Sequence, residues 1–236
     1  MIPLRDANPT RRTPVVTASL IAACVVVFLV ELRISSGPGG DAVLERTLGE
    51  WGAVPSRISA ALQGSGDPGL ALRGIVSSLF LHAGWTHLLG NMLFLWIFGN
   101  NVEDRLGRLP FLVFYLVGGA IAALAQVFID PQSEIPLVGA SGAIAATLGA
   151  YLILYPRARI TTFLFLGIVA QLIEVPAVVI LGFWFLLQLL DGVASLGATT
   201  AQGGVAFFAH IGGFAAGALV GLLVRAAGPR PGRPGG

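Results

Sequence analysis

The chain has 236 residues, 55% of them hydrophobic and only 11% charged, with a mean hydropathy of +0.83 and a net charge of +2. A soluble domain carries about 25% charged residues, so this composition excludes an ordinary soluble enzyme and a nucleic-acid-binding surface. It describes one compact helical domain built for lipid. All fourteen basic residues are arginine, and the single cysteine, Cys24, lies in an apolar run where it reads as packing and can form no internal disulfide.

Residues 1–14, MIPLRDANPTRRTP, read as a polar, proline-containing disordered arm. The apolar run 15–32 is long enough to span a bilayer. The ELRISSGPGG that follows has no small-x-small cleavage site, so the run is expected to be a permanent anchor. Residues 33–75 form a long loop with apolar patches, the kind of loop that is functional or partly helical. Five further hydrophobic segments cover roughly 86–102, 110–129, 139–155, 175–190 and 205–224, against the need for about 20 helical residues per span. Residues 160–174 are apolar but end in Glu174 and Pro176, which suits an interfacial or re-entrant element at the headgroup boundary. The tail, residues 225–236, is too rich in Pro and Gly to fold.

Six spans put both termini on one side. That side collects Arg5, Arg11, Arg12, Arg105, Arg108, Arg157, Arg159, Arg225, Arg230 and Arg233. The other side holds only Arg33, Arg46, Arg57 and Arg73, all in or beside the first loop. The positive-inside rule then makes both ends cytoplasmic. Spans two, four and six run inward from the outer face, and each brings a reactive group to it: His87, Ser141 and His210.

A serine between two glycines in an apolar helix either packs or reacts. Ser141, Ala145 and Gly149 form one small-residue stripe, and His210, Gly213, Gly217 and Gly221 form another. If these two stripes pack closely, Ser141 and His210 meet at the top of one seam. An imidazole there can take the hydroxyl proton that otherwise keeps serine a weak nucleophile. His87 and Asn91 share a face of span two, where a side-chain amide can meet a developing oxyanion. His82 lies off that face and either shapes the site or touches substrate. Span four offers about 17 residues from Gly139 to Tyr155, or about 25 Å. That is short of the ~30 Å of hydrocarbon, so Ser141 is expected below the outer surface in a cavity that admits water.

Glu103 and Arg105 are expected to hydrogen-bond neighbouring helix ends, far from any chemistry. Asp191 is disfavoured as a third member of the pair. Trp184 and Phe183 are expected to face lipid or a neighbouring helix. Three histidines without a thiolate pair or an H-E-x-x-H spacing give no metal signature, and nothing suggests a cofactor.

Four motifs, GASG at 139–142, HAGWTHLLGNM at 82–92, VEDRLG at 102–107 and AHIGGFAAG at 209–217, together resemble the rhomboid intramembrane serine proteases over about residues 75–224. The resemblance implies an all-α membrane protein: a six-transmembrane helical bundle of residues 15–224 with a long, partly membrane-embedded first loop. It implies Ser141 as nucleophile and His210 as general base without an aspartate. His87 and Asn91 join the backbone in an oxyanion hole, and His82, Gly139 and Gly142 shape the site. It also implies movement near span five, where Trp184 and Phe183 could form a gate. The substrates would be single-span membrane proteins, cut near the outer end of the span. A catalytically dead relative that binds membrane-protein clients is the alternative, and a small transporter is disfavoured because no repeat of halves is evident. Two departures from the family pattern stand out. Ala145 replaces the usual tyrosine that stacks on the histidine, leaving Phe207 or Phe208 as candidate supports, and the Trp-Arg pair of the first loop is absent.

Overall fold

A computed structural model describes residues 2–166, 169–195 and 206–228. Helix α1 (Val15–Ser35) buries Thr17, Leu20, Cys24, Phe28 and Glu31, a stripe with three- and four-residue steps. Val26, Leu29 and Val30 on its other side stay exposed. A helix apolar on both its buried and its exposed face belongs in lipid. The same holds for α7 (Arg108–Ile129), α9 (Ala177–Ser195) and α10 (Phe207–Ala226), and these four are the described helices long and apolar enough to cross a membrane.

The first long loop is largely helical. It carries α2 (Gly40–Trp51), α3 (Pro55–Leu62) and α4 (Pro68–Ser78). Helix α4 starts on a proline, and the Asp67 Oδ1 cap accepts the N–H groups of Gly69 and Leu70 at 2.7 and 3.3 Å. A small core of Ala53, Ile58 and Ala71 seats this region on Val127 of α7. Within this region the Arg73 guanidinium stands 4.4 Å from the Trp51 ring.

The second hydrophobic segment runs without a break from α5 (Trp85–Phe94) through a π-helical turn (Leu95–Gly99) into α6 (Asn100–Leu106). Helix α8 (Ser141–Leu154) is the centre of the bundle: every residue from Gly142 to Tyr151 is buried. Its 14 residues reach only about 21 Å, shorter still than expected. Helix α10 packs on α8 more extensively than any other pair of elements, then on α7.

That packing uses the expected face of α8 in part and residues one place further round in part. A Cβ on Gly217 would overlap the Ala146 carbonyl, and one on Gly213 would overlap the Gly142 carbonyl. Gly221 lies against Ala150 and Ile153. The α8 side of the seam is therefore Gly142, Ala146 and Ala150, one residue round from Ser141, Ala145 and Gly149. Gly149 of the expected stripe is in the seam as well, since a Cβ on it would overlap the Phe214 carbonyl.

The expectation of an all-α protein is corrected by a small antiparallel sheet. Strands β2 (Arg159–Leu166) and β3 (Val169–Pro176) pair from Arg159↔Pro176 to Leu166↔Val169, where an interfacial or re-entrant segment was expected. The segment is rich in β-branched and aromatic residues. Ile160 and Thr162 alternate inward, fully buried, while Arg159 pairs with Glu174 at 3.6 Å in solvent. Strand β1 (Ile2–Asp6) adds to β2, so the first part of the arm is not disordered. Its anchor is Asp6, whose Oδ2 accepts from Tyr151 Oη at 2.6 Å and Asn101 Nδ2 at 2.7 Å. Of the tail, α10 extends to Ala226, and residues 229–236 lie outside the described residues.

Candidate active site

Ser141 is the first residue of α8, where a helix leaves its N–H groups without intrahelical partners. His210 lies in the first turn of α10. The close glycine seam below them brings the two side chains together, and His210 Nε2 stands 2.8 Å from Ser141 Oγ. Both line a cavity of about 510 Å³ shared with Ser78, Thr86, His87 and Gly139.

Gly139 has φ +117° and donates its N–H to the Ser78 carbonyl at 2.8 Å. A Cβ there would lie 2.6 Å from His87 Cε1 and 2.7 Å from Nε2. Glycine is needed at this position both for its backbone angle and for the room it leaves the imidazole. Gly142 is equally confined, since a Cβ on it would lie 2.7 Å from that of Ala122 on α7.

His87 Nδ1 accepts the Ala83 N–H at 3.4 Å, which in the neutral ring leaves the proton on Nε2, the atom beside Gly139. Asn91 Nδ2 is buried, 3.5 Å from the same Cβ position, and has no hydrogen-bond partner among the described residues. Two N–H groups thus stand beside Gly139, two residues before the serine, and of the two residues His87 lines the cavity.

His82 stands behind His87 rather than in the cavity: it is 1% exposed, with its ring 5.2 Å from that of His87, edge-on. Its Nδ1 lies 3.1 Å from the Phe80 carbonyl, and its backbone N–H donates to the Glu31 carboxylate at 3.1 Å. Burial, with His87 close by, pulls its imidazole down to about 4, so it is neutral at ordinary pH.

The far ends of the helices answer the expectation for Glu103 and Arg105. Glu103 accepts the N–H groups of Val16 and Thr17 and the Thr17 hydroxyl. Arg105 donates to the carbonyls of Val224 and Gly228.

Two groups at the site were not foreseen in their present roles. Gln188 of α9 places Oε1 2.6 Å from His210 Nδ1. The Trp184 ring, one turn earlier, lies 5.9 Å from the His210 ring. Phe207 and Phe208 instead border Gly192 of α9. The signal for Gln188 was in the sequence: it is the one amide in the apolar run of α9.

A bundle of apolar helices with a serine and a histidine hydrogen-bonded at the wall of a cavity describes a multi-pass membrane protein. The rhomboid domain model matches residues 70–227, and the chain belongs to the rhomboid family. It is 34% identical over 148 residues to the Rhomboid protease GluP of Bacillus subtilis (strain 168), covering 63% of this chain and 26% of that protein. It is 31% identical over 156 residues to Rhomboid protein 1, mitochondrial, of Saccharomyces cerevisiae (strain ATCC 204508 / S288c), covering 64% and 41%. It is 30% identical over 226 residues to RHOMBOID-like protein 4 of Arabidopsis thaliana, covering 87% and 52%. The chain thus spans between about a quarter and about half the length of these curated relatives.

Proposed function

We propose that this chain is an intramembrane serine endopeptidase that cleaves single-span membrane proteins near the outer face of the bilayer. The observation that carries the reading is the 2.8 Å contact between His210 Nε2 and Ser141 Oγ at the wall of a cavity. Ser141 Oγ attacks the scissile carbonyl carbon while its proton passes to His210 Nε2. The oxyanion is met by His87 Nε2–H, Asn91 Nδ2–H and the N–H groups at the start of α8. Collapse of the tetrahedral intermediate breaks the C–N bond, and His210 gives the proton to the leaving amine. Water then repeats the sequence on the acyl-enzyme, with His210 again as base.

The bundle is proposed to cross the membrane six times, the composite helix from Trp85 to Leu106 and the short α8 adding to the four long helices. The region of α2–α4 lies partly in the outer leaflet. Both termini face the cytoplasm of a cell membrane. The arginine distribution supports this orientation, since Arg105 and Arg225 bind carbonyls at the end of the bundle opposite Ser141.

The test is cleavage of a labelled single-span protein by the purified protein in liposomes, with Ser141→Ala and His210→Ala in parallel. Cleavage by wild type alone is the expected result. Equal cleavage by all three would assign the activity to a contaminant and defeat the reading. No cleavage with substrate still co-purifying would point to a client-binding relative instead.

A further inference from the structure

Ala145, at the position one turn after Ser141, is fully buried and offers no aromatic face. Both ring nitrogens of His210 are nonetheless engaged, Nε2 by Ser141 and Nδ1 by Gln188. If Ser141 donates its hydroxyl proton to Nε2, the neutral ring carries its own proton on Nδ1, and only an acceptor fits there. The Gln188 carbonyl oxygen is that acceptor. The opposite amide orientation would put a donor at Nδ1, move the ring proton to Nε2 and disable the base. Trp184 lies four residues before Gln188, on the same face of α9. It packs against the imidazole and also against Phe214, one turn along α10 from His210.

We infer that Gln188 and Trp184 of α9 are the positioning residues of the general base, Gln188 selecting the Nδ1–H tautomer and Trp184 holding the plane of the ring. This rests on the reading of Ser141 and His210 as a catalytic pair. The arrangement differs from an acid at the same place. A neutral amide orients the imidazole without offering a charge to the imidazolium that forms. Asp191, the acid nearest in sequence, has no ring nitrogen left to meet. The base is therefore held from α9, the least buried of the four long helices, rather than from α8, on which the nucleophile sits. Its alignment persists only while α9 is docked on α10.

The test uses the full chain with ¹⁵N-labelled histidine in detergent or nanodiscs. The three resonances are assigned by replacing each histidine singly. In wild type, His210 is expected to give the Nδ1-protonated signature. Gln188→Leu removes the acceptor and should abolish that signature. Gln188→Glu keeps an acceptor oxygen and should retain it. On a single-span substrate, Gln188→Leu should lower kcat about tenfold, the size one lost hydrogen bond supports, with KM unchanged and with kcat restored by Gln188→Glu. Trp184→Leu should broaden the His210 signal without changing the tautomer. An unchanged His210 tautomer in Gln188→Leu would overturn the assignment, as would equal kcat in wild type and Gln188→Leu. Should Gln188→Leu fail to fold, as judged by its helical circular dichroism, Gln188→Met carries the same expectations. Absence of any cleavage by wild type would defeat the protease reading alone, because the tautomer is read without turnover.

Discussion

The composite helix from Trp85 to Leu106 carries buried polar groups at both ends, and the ends treat them in opposite ways. At the α6 end, Glu103 is 3% exposed, and its two oxygens accept three hydrogen bonds from the start of α1 at 2.7–3.0 Å. They satisfy N–H groups that the first turn of α1 leaves over, and the negative charge suits a helix N-terminus. At the α5 end, Asn91 is 8% exposed and its amide nitrogen has no hydrogen-bond partner among the described residues. Buried polar groups are normally paired, so the contrast sets a group satisfied by the fold apart from one that the proposed function leaves open for a substrate oxygen. Satisfaction of hydrogen bonds distinguishes the two where burial and sequence position do not.

The largest effect is expected from breaking the satisfied end. Glu103→Leu removes three charge-assisted hydrogen bonds at about 1.5–3 kcal/mol each, partly offset by no longer burying a charge. The net loss should be about 4 kcal/mol, read as a fall in Tm in detergent, with Glu103→Gln retaining much of the difference. The open end should respond the other way. Asn91→Ala should leave the stability within about 1 kcal/mol of wild type and Tm nearly unchanged, because no bond is lost. It should lower the cleavage rate by about 10²–10³, as loss of one oxyanion donor does. A Tm loss for Asn91→Ala as large as that for Glu103→Leu would erase the distinction between the two ends.

The pairing of Ser141 with His210 was legible because a serine in a G-A-S-G run and a histidine in an apolar helix both stand out, and small-residue stripes announce close helices. The stripe on α8 was legible only in part: Gly149 does meet α10, but Ala145 and Ala146 are both small, so composition cannot choose between them. The backbone contacts of Gly213 and Gly217 choose Gly142 and Ala146. The hairpin of β2 and β3 was hidden because its apolar run has the composition of a short membrane segment. Its alternation becomes meaningful only once Ile160 and Thr162 have a bundle to face. Gln188 was missed for a different reason: one amide in an apolar helix signals a partner but does not say which, and the partner lies on a helix 22 positions away.

A smaller effect should come from the backbone that carries the open end. Gly139→Ala forces a side chain onto φ +117°, at about 1–2 kcal/mol, and displaces His87. Cleavage should fall about tenfold for each 1.4 kcal/mol of lost oxyanion stabilisation, and Tm should fall modestly. Normal activity in Gly139→Ala would show that the ring can shift without consequence and that His87 is not a donor at the site.

The smallest effect concerns Asp6, a second satisfied carboxyl at the same end of the bundle as Glu103. Burial pushes it above the usual carboxylate range, against the opposing influence of Tyr151, the Asn8 backbone and Arg5. A raised folded value means that its stabilisation is complete below the ordinary value near about 4. That stabilisation is lost as pH rises through the higher folded value, because the unfolded chain then releases the proton more readily. Asp6→Asn removes the titration while keeping an oxygen for Tyr151. The amide-exchange protection of residues 2–6 should therefore fall with rising pH across the mildly acidic range in wild type and stay level in Asp6→Asn. If both strands of data ran parallel, the carboxyl would be ionised throughout, and the hydrogen bonds from Tyr151 and Asn101, rather than burial, would govern it. Asp6 would then be an anchor set by its hydrogen bonds, as Glu103 is by its three to α1.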